Sequence, residues 1–412
     1  MELLDTITAN ITRQLNALKE FTATPGCGVT RFPYTPQARL ASDYLAREMQ
    51  RIHLQVRMDP SGSVIGRMEG ESPETIMIGS HLDSVKNGGA YDGIAGAVCA
   101  IEVARLLEKR GKKPRYSVEV IATNDEEGSR FKSGLFTGKI LLGQMTPEDL
   151  KKYSDEDGIT IYDAMINYGL DPEKIGPART DIAAFLETHI EQGPVMEAKG
   201  AEIGAVTTIV GIRRAMVTID GRPDHVGTMP MDMRHDALET AAKVIAQIGD
   251  TARKFPNAVA TVGNLHIEPN IINIVPSKAV FSVDFRGITQ ADIDAQYDLM
   301  VANLKRETER FGTSFTIEET LNAAPVDMFP RFRRCILDSC EKHGYRSMEL
   351  VSGAGHDAQI MGAQLPTAMI FVPSIDGRSH CPEEKTEEIA LARAVLVMQD
   401  ILDDLFLRGL PT

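Results

Sequence analysis

One short stretch of the chain combines side chains that could bind a metal ion. In "GSHLDSVKNGGAYDG", His81, Asp83 and Asp92 follow an apolar run that ends at Gly79. Residues i and i+2 of an extended chain point to the same side, so we expect the Asp83 carboxylate to reach and orient the His81 ring. A surface histidine and an N-cap aspartate explain the stretch about equally well when it is taken alone.

Further histidines and carboxylates follow other predicted strands. "TNDEEGSRF" contains the adjacent Glu126 and Glu127, of which one could bind metal while the other faces substrate. His189 lies in "FLETHIEQG", His356 in "SGAGHDAQI" and His380 in "DGRSHCPEE". Singly, each histidine is more often structural than functional, and an acidic loop is more often merely solvated.

Together, these side chains form a set of nitrogen and oxygen ligands without sulfur: His81, Asp92, Glu127, His189 and His380. Such a set suits Zn²⁺ or Mn²⁺, and Co²⁺ and Ni²⁺ also accept these ligands. Five ligands, one of them bridging, are enough for two ions about 3.5–4 Å apart. A free carboxylate beside them could take the proton of a water and deliver it to a leaving amine.

Strands and helices alternate along the first half of the chain. "ETIMIGS" and "YSVEVIATNDEE" have the pattern of buried strands, and "GIAGAVCAIEVARLLEKRG" has the pattern of a helix. This alternation predicts an α/β sheet with helices on both faces. Functional groups of such sheets gather at the carboxyl ends of the strands, where both acidic clusters lie.

The pattern changes near residue 212. "RRAMVTIDGR" and "KAVFSVDFRG" alternate like half-exposed antiparallel strands, and two long amphipathic segments predict helices. We therefore predict a catalytic domain formed by residues 1–211 and 328–412, interrupted by a smaller α+β domain at residues 212–327.

Composition limits the function classes. The chain has 412 residues and a net charge of −14, which argues against nucleic acid or an anionic membrane as the main partner but allows a small anionic substrate. No signal peptide and no apolar run of membrane-spanning length is present, which predicts a cytoplasmic protein. The odd number of cysteines predicts free thiols: Cys27, Cys99, Cys335, Cys340 and Cys381.

The motifs "GSHLDSV", "GGAYDG", "DEEGSRF", "HIEQGPVME" and "GRSHCPEE" resemble those of the M20-type metallo-amidohydrolases, in the carbamoylase and allantoate-amidohydrolase branch. The resemblance covers essentially the whole chain, in the same order. It implies a zinc-peptidase-like α/β domain with an inserted α+β lid and dimerisation domain, and a homodimer formed through that lid.

The resemblance also implies roles for individual residues. His81, Asp92 and His189 would bind one ion; Asp92, Glu127 and His380 would bind the other, with Asp92 bridging. Glu126 would be the general base and acid. In the insert, His225 would stabilise the oxyanion, often across a dimer interface, while Asn273 and Arg286 would hold a substrate carboxylate. Three further positions match substrate-contacting residues: Gln192, Gly355 and His356.

The implied activity is hydrolysis of the ureido C–N bond of an N-carbamoyl-L-amino acid, which releases ammonia, carbon dioxide and the amino acid. Allantoate and N-carbamoyl-β-alanine are alternative substrates within the branch. An M20 aminoacylase or dipeptidase is a further alternative, although such relatives usually carry a carboxylate where His189 stands. A catalytically dead ligand-binding homologue is disfavoured by the complete ligand set and the intact Glu126.

Overall fold

The computed structural model describes residues 2–410, which divide into two compact units. The larger unit contains the chain up to Thr207, Asp327–Leu350 and the residues from Gly355 onward. The smaller unit contains Thr208–Val326 and Val351–Ala354. The smaller unit overlaps the insert predicted at residues 212–327, but it also takes up Val351–Ala354 from the segment assigned to the main domain. A role of this unit as a lid or dimerisation domain stays a prediction.

The described residues form eleven α-helices: α1 (Glu2–Leu18), α2 (Pro36–Gln50), α3 (Ile94–Lys109), α4 (Phe136–Leu141), α5 (Ile161–Asn167), α6 (Val195–Lys199), α7 (Ala237–Ala252), α8 (Gln290–Phe311), α9 (Pro330–His343), α10 (Asp357–Gly362) and α11 (Glu388–Arg408). They also form fourteen strands: β1 (Gln55–Met58), β2 (Val64–Met68), β3 (Ser72–His81), β4 (Tyr116–Thr123), β5 (Ile182–Ile190), β6 (Ile203–Ile209), β7 (Gly211–Asp220), β8 (Val259–Thr261), β9 (Leu265–Glu268), β10 (Lys278–Gly287), β11 (Ser314–Ala323), β12 (Val326–Asp327), β13 (Ser347–Ser352) and β14 (Thr367–Val372).

A nine-stranded sheet has the order β1-β2-β4-β3-β5-β14-β6-β12, with β13 paired to β6. Strand β3 runs parallel to both β4 and β5, and β14 runs parallel to β5. The carboxyl ends of these four central strands therefore meet at one edge of the sheet. The α/β fold predicted from the strand–helix alternation is confirmed.

Helix α3 packs closely on the central strands because its first turns carry small residues. Gly96 faces the sheet, and a Cβ atom there would lie 2.0 Å from the carbonyl oxygen of Thr188 and 2.7 Å from the Cβ of Ser80. No side chain fits at that distance. Helices α1 and α11 contact α3 and enclose a core that includes Ile76, Ile78, Val98, Ile101 and Leu186.

The smaller unit has a five-stranded antiparallel sheet in the order β11-β7-β10-β8, with β9 also paired to β10. Strand β10 alternates between buried and half-buried residues along its length. Ala279, Phe281, Val283 and Phe285 point into a core shared with α7 and α8. The other face of β10 carries polar side chains, among them Arg286.

All five cysteines are free thiols, as their odd number and spacing predicted. Two of them, Cys99 and Cys340, are buried, and Cys27 is exposed. Within residues 2–410, no helix is both long and apolar enough to cross a membrane.

The close approach of α3 to the sheet can be tested with two identical substitutions. Gly96→Ala should lower the free energy of unfolding by about 2–3 kcal/mol, because the added methyl group meets backbone that cannot move aside. Gly249→Ala, in α7, is the matched control, since its Cβ would meet only the end of the Arg253 side chain, at 3.4 Å. That variant should gain roughly 0.5–1 kcal/mol. Urea unfolding followed by circular dichroism measures both, and equal stability of the two variants would refute the packing argument.

Candidate active site

Side chains from separate segments of the larger unit converge at the carboxyl edge of the parallel strands. His81 ends β3, His189 lies near the end of β5, and Glu126 and Glu127 follow β4. Two loop residues join them: Asp92, just before α3, and His380, after β14. His81 and His189 are each 1% exposed and Asp92 is 5% exposed, whereas the His380 side chain is 47% exposed. The cluster is therefore buried but open to solvent on the His380 side.

The first group consists of His81, Asp92 and His189, whose ligand atoms all lie within 4.8 Å of one another. Asp92 Oδ1 is 3.2 Å from His189 Nε2 and 3.8 Å from His81 Nε2. The two Nε2 atoms are 3.3 Å apart. Three ligand atoms thus converge from two adjacent strands and one loop.

Main-chain carbonyl groups orient both rings. His81 Nδ1 lies 3.0 Å from the carbonyl oxygen of Asp83, and His189 Nδ1 lies 2.9 Å from that of Ile190. A carbonyl oxygen can only accept a hydrogen bond, so each Nδ1 carries a proton and, in the neutral ring, each Nε2 is left with a lone pair. Two lone pairs that face each other beside a carboxylate require a positive charge, which a divalent cation or an additional proton can supply.

The second group consists of Asp92, Glu127 and His380. Asp92 Oδ2 is 3.0 Å from His380 Nε2, and Glu127 Oε1 is 3.5 Å from the same nitrogen. Glu127 Oε1 is buried and accepts no hydrogen bond. The two oxygens of Asp92 therefore face different histidines, the arrangement that a bridging carboxylate needs.

The charges of the cluster also suit a cation. Burial raises the pKa of Asp92, but its hydrogen bonds to His189 and His380 outweigh burial, so that the pKa lies well below its usual value. Burial lowers the pKa of His189, but the hydrogen bond and charge of Asp92 bring it to about 9. The hydrogen bond to Asp92 likewise raises the pKa of His380 to about 9. These side chains attract positive charge, and the donor set fits a divalent metal.

Glu126 lies beside both groups. Its Oε2 is 3.9 Å from His81 Nε2, and the residue is 8% exposed. Burial and then the charge of Glu127 raise the pKa of Glu126 well above its usual value. A carboxyl group with a raised pKa is suited to accept and return a proton near neutral pH.

Asp83 has a different partner from the one predicted. Its Oδ1 is 3.8 Å from His81 Nδ1, too far for a hydrogen bond, because the backbone carbonyl of the same residue already faces that nitrogen. The carboxylate instead accepts hydrogen bonds from the backbone N–H groups of Glu126 and Glu127, at 3.1 and 3.2 Å. Asp83 thus fixes the turn that carries the two glutamates.

Gly93 allows the loop to fold back over His81. It has a φ of +66°, which L-residues with a side chain rarely adopt. A Cβ atom at this position would lie 2.3 Å from atoms of the His81 ring. The glycine thus permits Asp92 and His81, which are eleven positions apart, to reach the same site.

The three substrate-contacting positions predicted in the larger unit differ in exposure. Gln192 lies at the cluster and donates a hydrogen bond from Nε2 to Asp92 Oδ2, at 3.1 Å. Gly355 is half-buried. His356 is 1% exposed and packs edge-on against the His189 ring, with centroids 4.6 Å apart. His356 also forms a group with His189 and Glu187, whose ligand atoms all lie within 4.8 Å of one another.

Sequence reasoning missed two buried carboxylates, Glu187 and Glu384. Glu187 accepts hydrogen bonds from Ser80 Oγ at 2.6 Å and from the backbone N–H of Ala358 at 3.1 Å. Its position two residues before His189, on the same side of β5, was the available signal. Glu384 follows His380 by four residues, and only its position in the fold reveals its contacts.

The remaining predicted residues lie in the smaller unit. His225 and Asn273 are exposed, and the N–H of Gly227 donates to His225 Nδ1 at 3.1 Å. The His225 proton is therefore on Nε2, which can donate to an oxyanion. Arg286 donates from Nη1 to the carbonyl of Gly353 at 2.6 Å and from Nε to Asp284 Oδ1 at 2.9 Å.

Arg286 lines a cavity of about 530 Å³ in the smaller unit. Arg214 lines the same cavity and donates to Asp284 Oδ2 at 2.6 Å. Two guanidinium groups therefore share one carboxylate, which leaves a net positive charge for an anionic group.

Comparisons with known proteins identify the family of the chain. The family described as "Peptidase family M20/M25/M40" matches residues 77–404. An N-carbamoyl-L-amino-acid amidohydrolase of Paenarthrobacter aurescens is 38% identical over 383 residues, which cover 92% of this chain and 93% of the relative. An allantoate amidohydrolase of Bacillus subtilis is 35% identical, over 95% of this chain and 96% of the relative.

Solved structures give the same result. The crystal structure of an amidase of the hydantoinase/carbamoylase family from Burkholderia multivorans superposes with a TM-score of 0.88 at 32% identity. The match covers 96% of this chain and 97% of that one. The chain therefore belongs to the M20/M25/M40 peptidase family, as an amidohydrolase of its carbamoylase and allantoate-amidohydrolase branch.

Proposed function

We propose that the enzyme hydrolyses the ureido C–N bond of an N-carbamoyl-L-amino acid and releases ammonia, carbon dioxide and the free amino acid. The observation that carries this proposal is the pair of histidine Nε2 atoms facing each other at 3.3 Å beside Asp92, with Glu126 next to them. The amidohydrolase of Paenarthrobacter aurescens, named for such substrates, supports the choice. Allantoate is the second candidate, supported by the Bacillus subtilis relative.

We propose two divalent metal ions as cofactors, Zn²⁺ or Mn²⁺, with Co²⁺ and Ni²⁺ also accepted by these ligands. His81, Asp92 and His189 would hold one ion; Asp92, Glu127 and His380 would hold the other. Bound there, the ions would lower the pKa of a water molecule and polarise the ureido carbonyl group.

Glu126 would act as the general base and acid. Its carboxylate would take the proton of the attacking water and deliver it to the leaving nitrogen, a task that its raised pKa supports. The hydrogen bonds from the backbone of Glu126 and Glu127 to Asp83 hold the turn in place. The two adjacent side chains can therefore serve different purposes.

The proposal assigns substrate binding to Gln192, Asn273 and Arg286, and stabilisation of the oxyanion to His225. The Nε2 proton of His225 suits stabilisation of an oxyanion, because Gly227 occupies the other ring nitrogen. Arg286 retains N–H groups beyond those used by Asp284 and Gly353, which suits a substrate carboxylate. The proposed contacts through Gly355 and His356 rest on the family resemblance alone.

We also propose a homodimer formed through the smaller unit. Four large apolar side chains are exposed in the segments that contain His225 and Asn273: Met231 at 65%, Met233 at 58%, Ile271 at 51% and Ile272 at 99%. Exposed apolar groups of this kind are typical of surfaces that another chain covers. The mass of the protein in solution, from light scattering, tests this assembly.

A substrate panel tests the proposed reaction. The protein reconstituted with Mn²⁺ or Zn²⁺ should release ammonia from N-carbamoyl-L-amino acids faster than from allantoate or N-carbamoyl-β-alanine. N-acetyl amino acids and dipeptides, which contain no ureido group, should be poor substrates, as measured by amino acid release. Faster cleavage of dipeptides than of any ureido compound would contradict the proposal.

Glu126→Gln and Glu127→Gln form a matched pair, because the same change is made at adjacent positions. Glu126→Gln should retain two metal ions by elemental analysis and lose turnover by about 10²–10⁴-fold, as expected when a general base is removed. Glu127→Gln should lose bound metal as well as turnover, because it removes a charged ligand. Full activity of Glu126→Gln would exclude its assignment as the base.

Arg286→Gln tests recognition of the substrate carboxylate. Loss of a charged pair worth 2–3 kcal/mol should lower kcat/KM for an N-carbamoyl amino acid by about 30–150-fold. The same change should have little effect on the corresponding amino acid amide, which lacks the carboxylate. Arg214→Gln is the comparison variant: it removes the other guanidinium group that binds Asp284, and its loss on the acid substrate should be smaller than that of Arg286→Gln. An equal loss on acid and amide substrates would contradict this role.

A further inference from the structure

We propose that Glu384 is a positioning residue that holds the loop carrying Asp92 and the loop carrying His380 in one fixed arrangement. The inference rests on the proposed function, because it assigns Glu384 a part in metal binding without making it a ligand.

One oxygen of Glu384 binds the first loop. Oε1 accepts hydrogen bonds from the backbone N–H groups of Tyr91 and Asp92, each at 3.0 Å. These groups lie immediately before α3, where the chain turns to present the Asp92 carboxylate to the histidines. Glu384 therefore fixes the backbone of Asp92 while the side chain remains available.

The other oxygen binds the second loop. Oε2 accepts hydrogen bonds from Ser379 Oγ at 2.7 Å and from the backbone N–H of His380 at 3.3 Å. His380 has a φ of +57°, a conformation that costs energy for a residue with a side chain and persists only when its surroundings hold it. Glu384 supplies part of that support.

A single buried carboxylate thus accepts four hydrogen bonds from two loops, and Asp92 and Glu384 are 292 positions apart in the chain. Glu384 is 4% exposed. Its space depends on Gly89, since a Cβ atom there would lie 1.9 Å from Oε1. The second glycine of "NGGAYDG", Gly89, is therefore explained by the need to admit the carboxylate.

Glu384→Gln tests whether both loops need the same carboxylate. An amide has one accepting oxygen and one donating nitrogen, so it can satisfy the N–H groups of one loop but repels the donors of the other. We expect the two ligand groups, which share Asp92, to lose their fixed spacing. Changes to residues that support metal ligands typically cost about 10–100-fold in metal affinity.

The test is a titration of the chelator-treated full-length protein with Co²⁺, followed by visible absorption and calorimetry. The wild-type protein should bind two equivalents, whereas Glu384→Gln should bind one or both at least 10-fold more weakly, with an altered Co²⁺ absorption spectrum. Glu383→Gln is the matched control, since it makes the same change at an exposed neighbour that pairs with Arg378. That variant should titrate like the wild type.

Gly89→Ala provides a second variant, because its methyl group displaces the Glu384 carboxylate without altering its charge. It should reproduce the weakened Co²⁺ binding, and it decides the question if Glu384→Gln does not fold. Wild-type affinity and spectrum in a folded Glu384→Gln or Gly89→Ala protein would overturn the positioning role. Failure of the wild-type protein itself to bind Co²⁺ would instead overturn the proposed metal site.

Discussion

The buried carboxylate of Asp92 is the constraint on which the site depends. An ionised carboxylate that is removed from water must be paired with positive charge or hydrogen-bond donors. Here Oδ1 faces His189 and His81, and Oδ2 faces His380. Each partner comes from a different part of the larger unit. The charge of Asp92 is therefore paired only when these parts are folded together.

The parallel sheet brings the partners of Asp92 together. Its central strands end at a common edge, so that His81 and His189 are placed by strands, whereas Asp92, Glu127 and His380 come from the connecting segments. Glycines remove the remaining steric obstacles: Gly93 admits the His81 ring beneath the turn before α3. The packed sheet therefore fixes the positions of His81 and His189, as in other sites that are built on regular elements.

Backbone carbonyl groups orient the two buried histidines, a role that the sequence pattern would assign to side chains. Carbonyl oxygens of Asp83 and Ile190 fix the tautomers of the two buried histidines. A carbonyl oxygen can only accept a hydrogen bond, so the neutral form of each ring keeps its proton on Nδ1. The carboxylate of Asp83 is thereby free to bind the backbone N–H groups after β4.

The sequence by itself determined the fold class and showed which residue types gather at the strand ends, because hydrophobic periodicity reflects burial. It also indicated that His81, Asp92 and His189 lie together, as they do in the structure. Tertiary structure decided the partners of Asp83, the burial of His356 against the His189 ring, and the contacts of Glu384. These depend on where backbone N–H and C=O groups from distant segments point, and spacing along one chain carries no information about such directions.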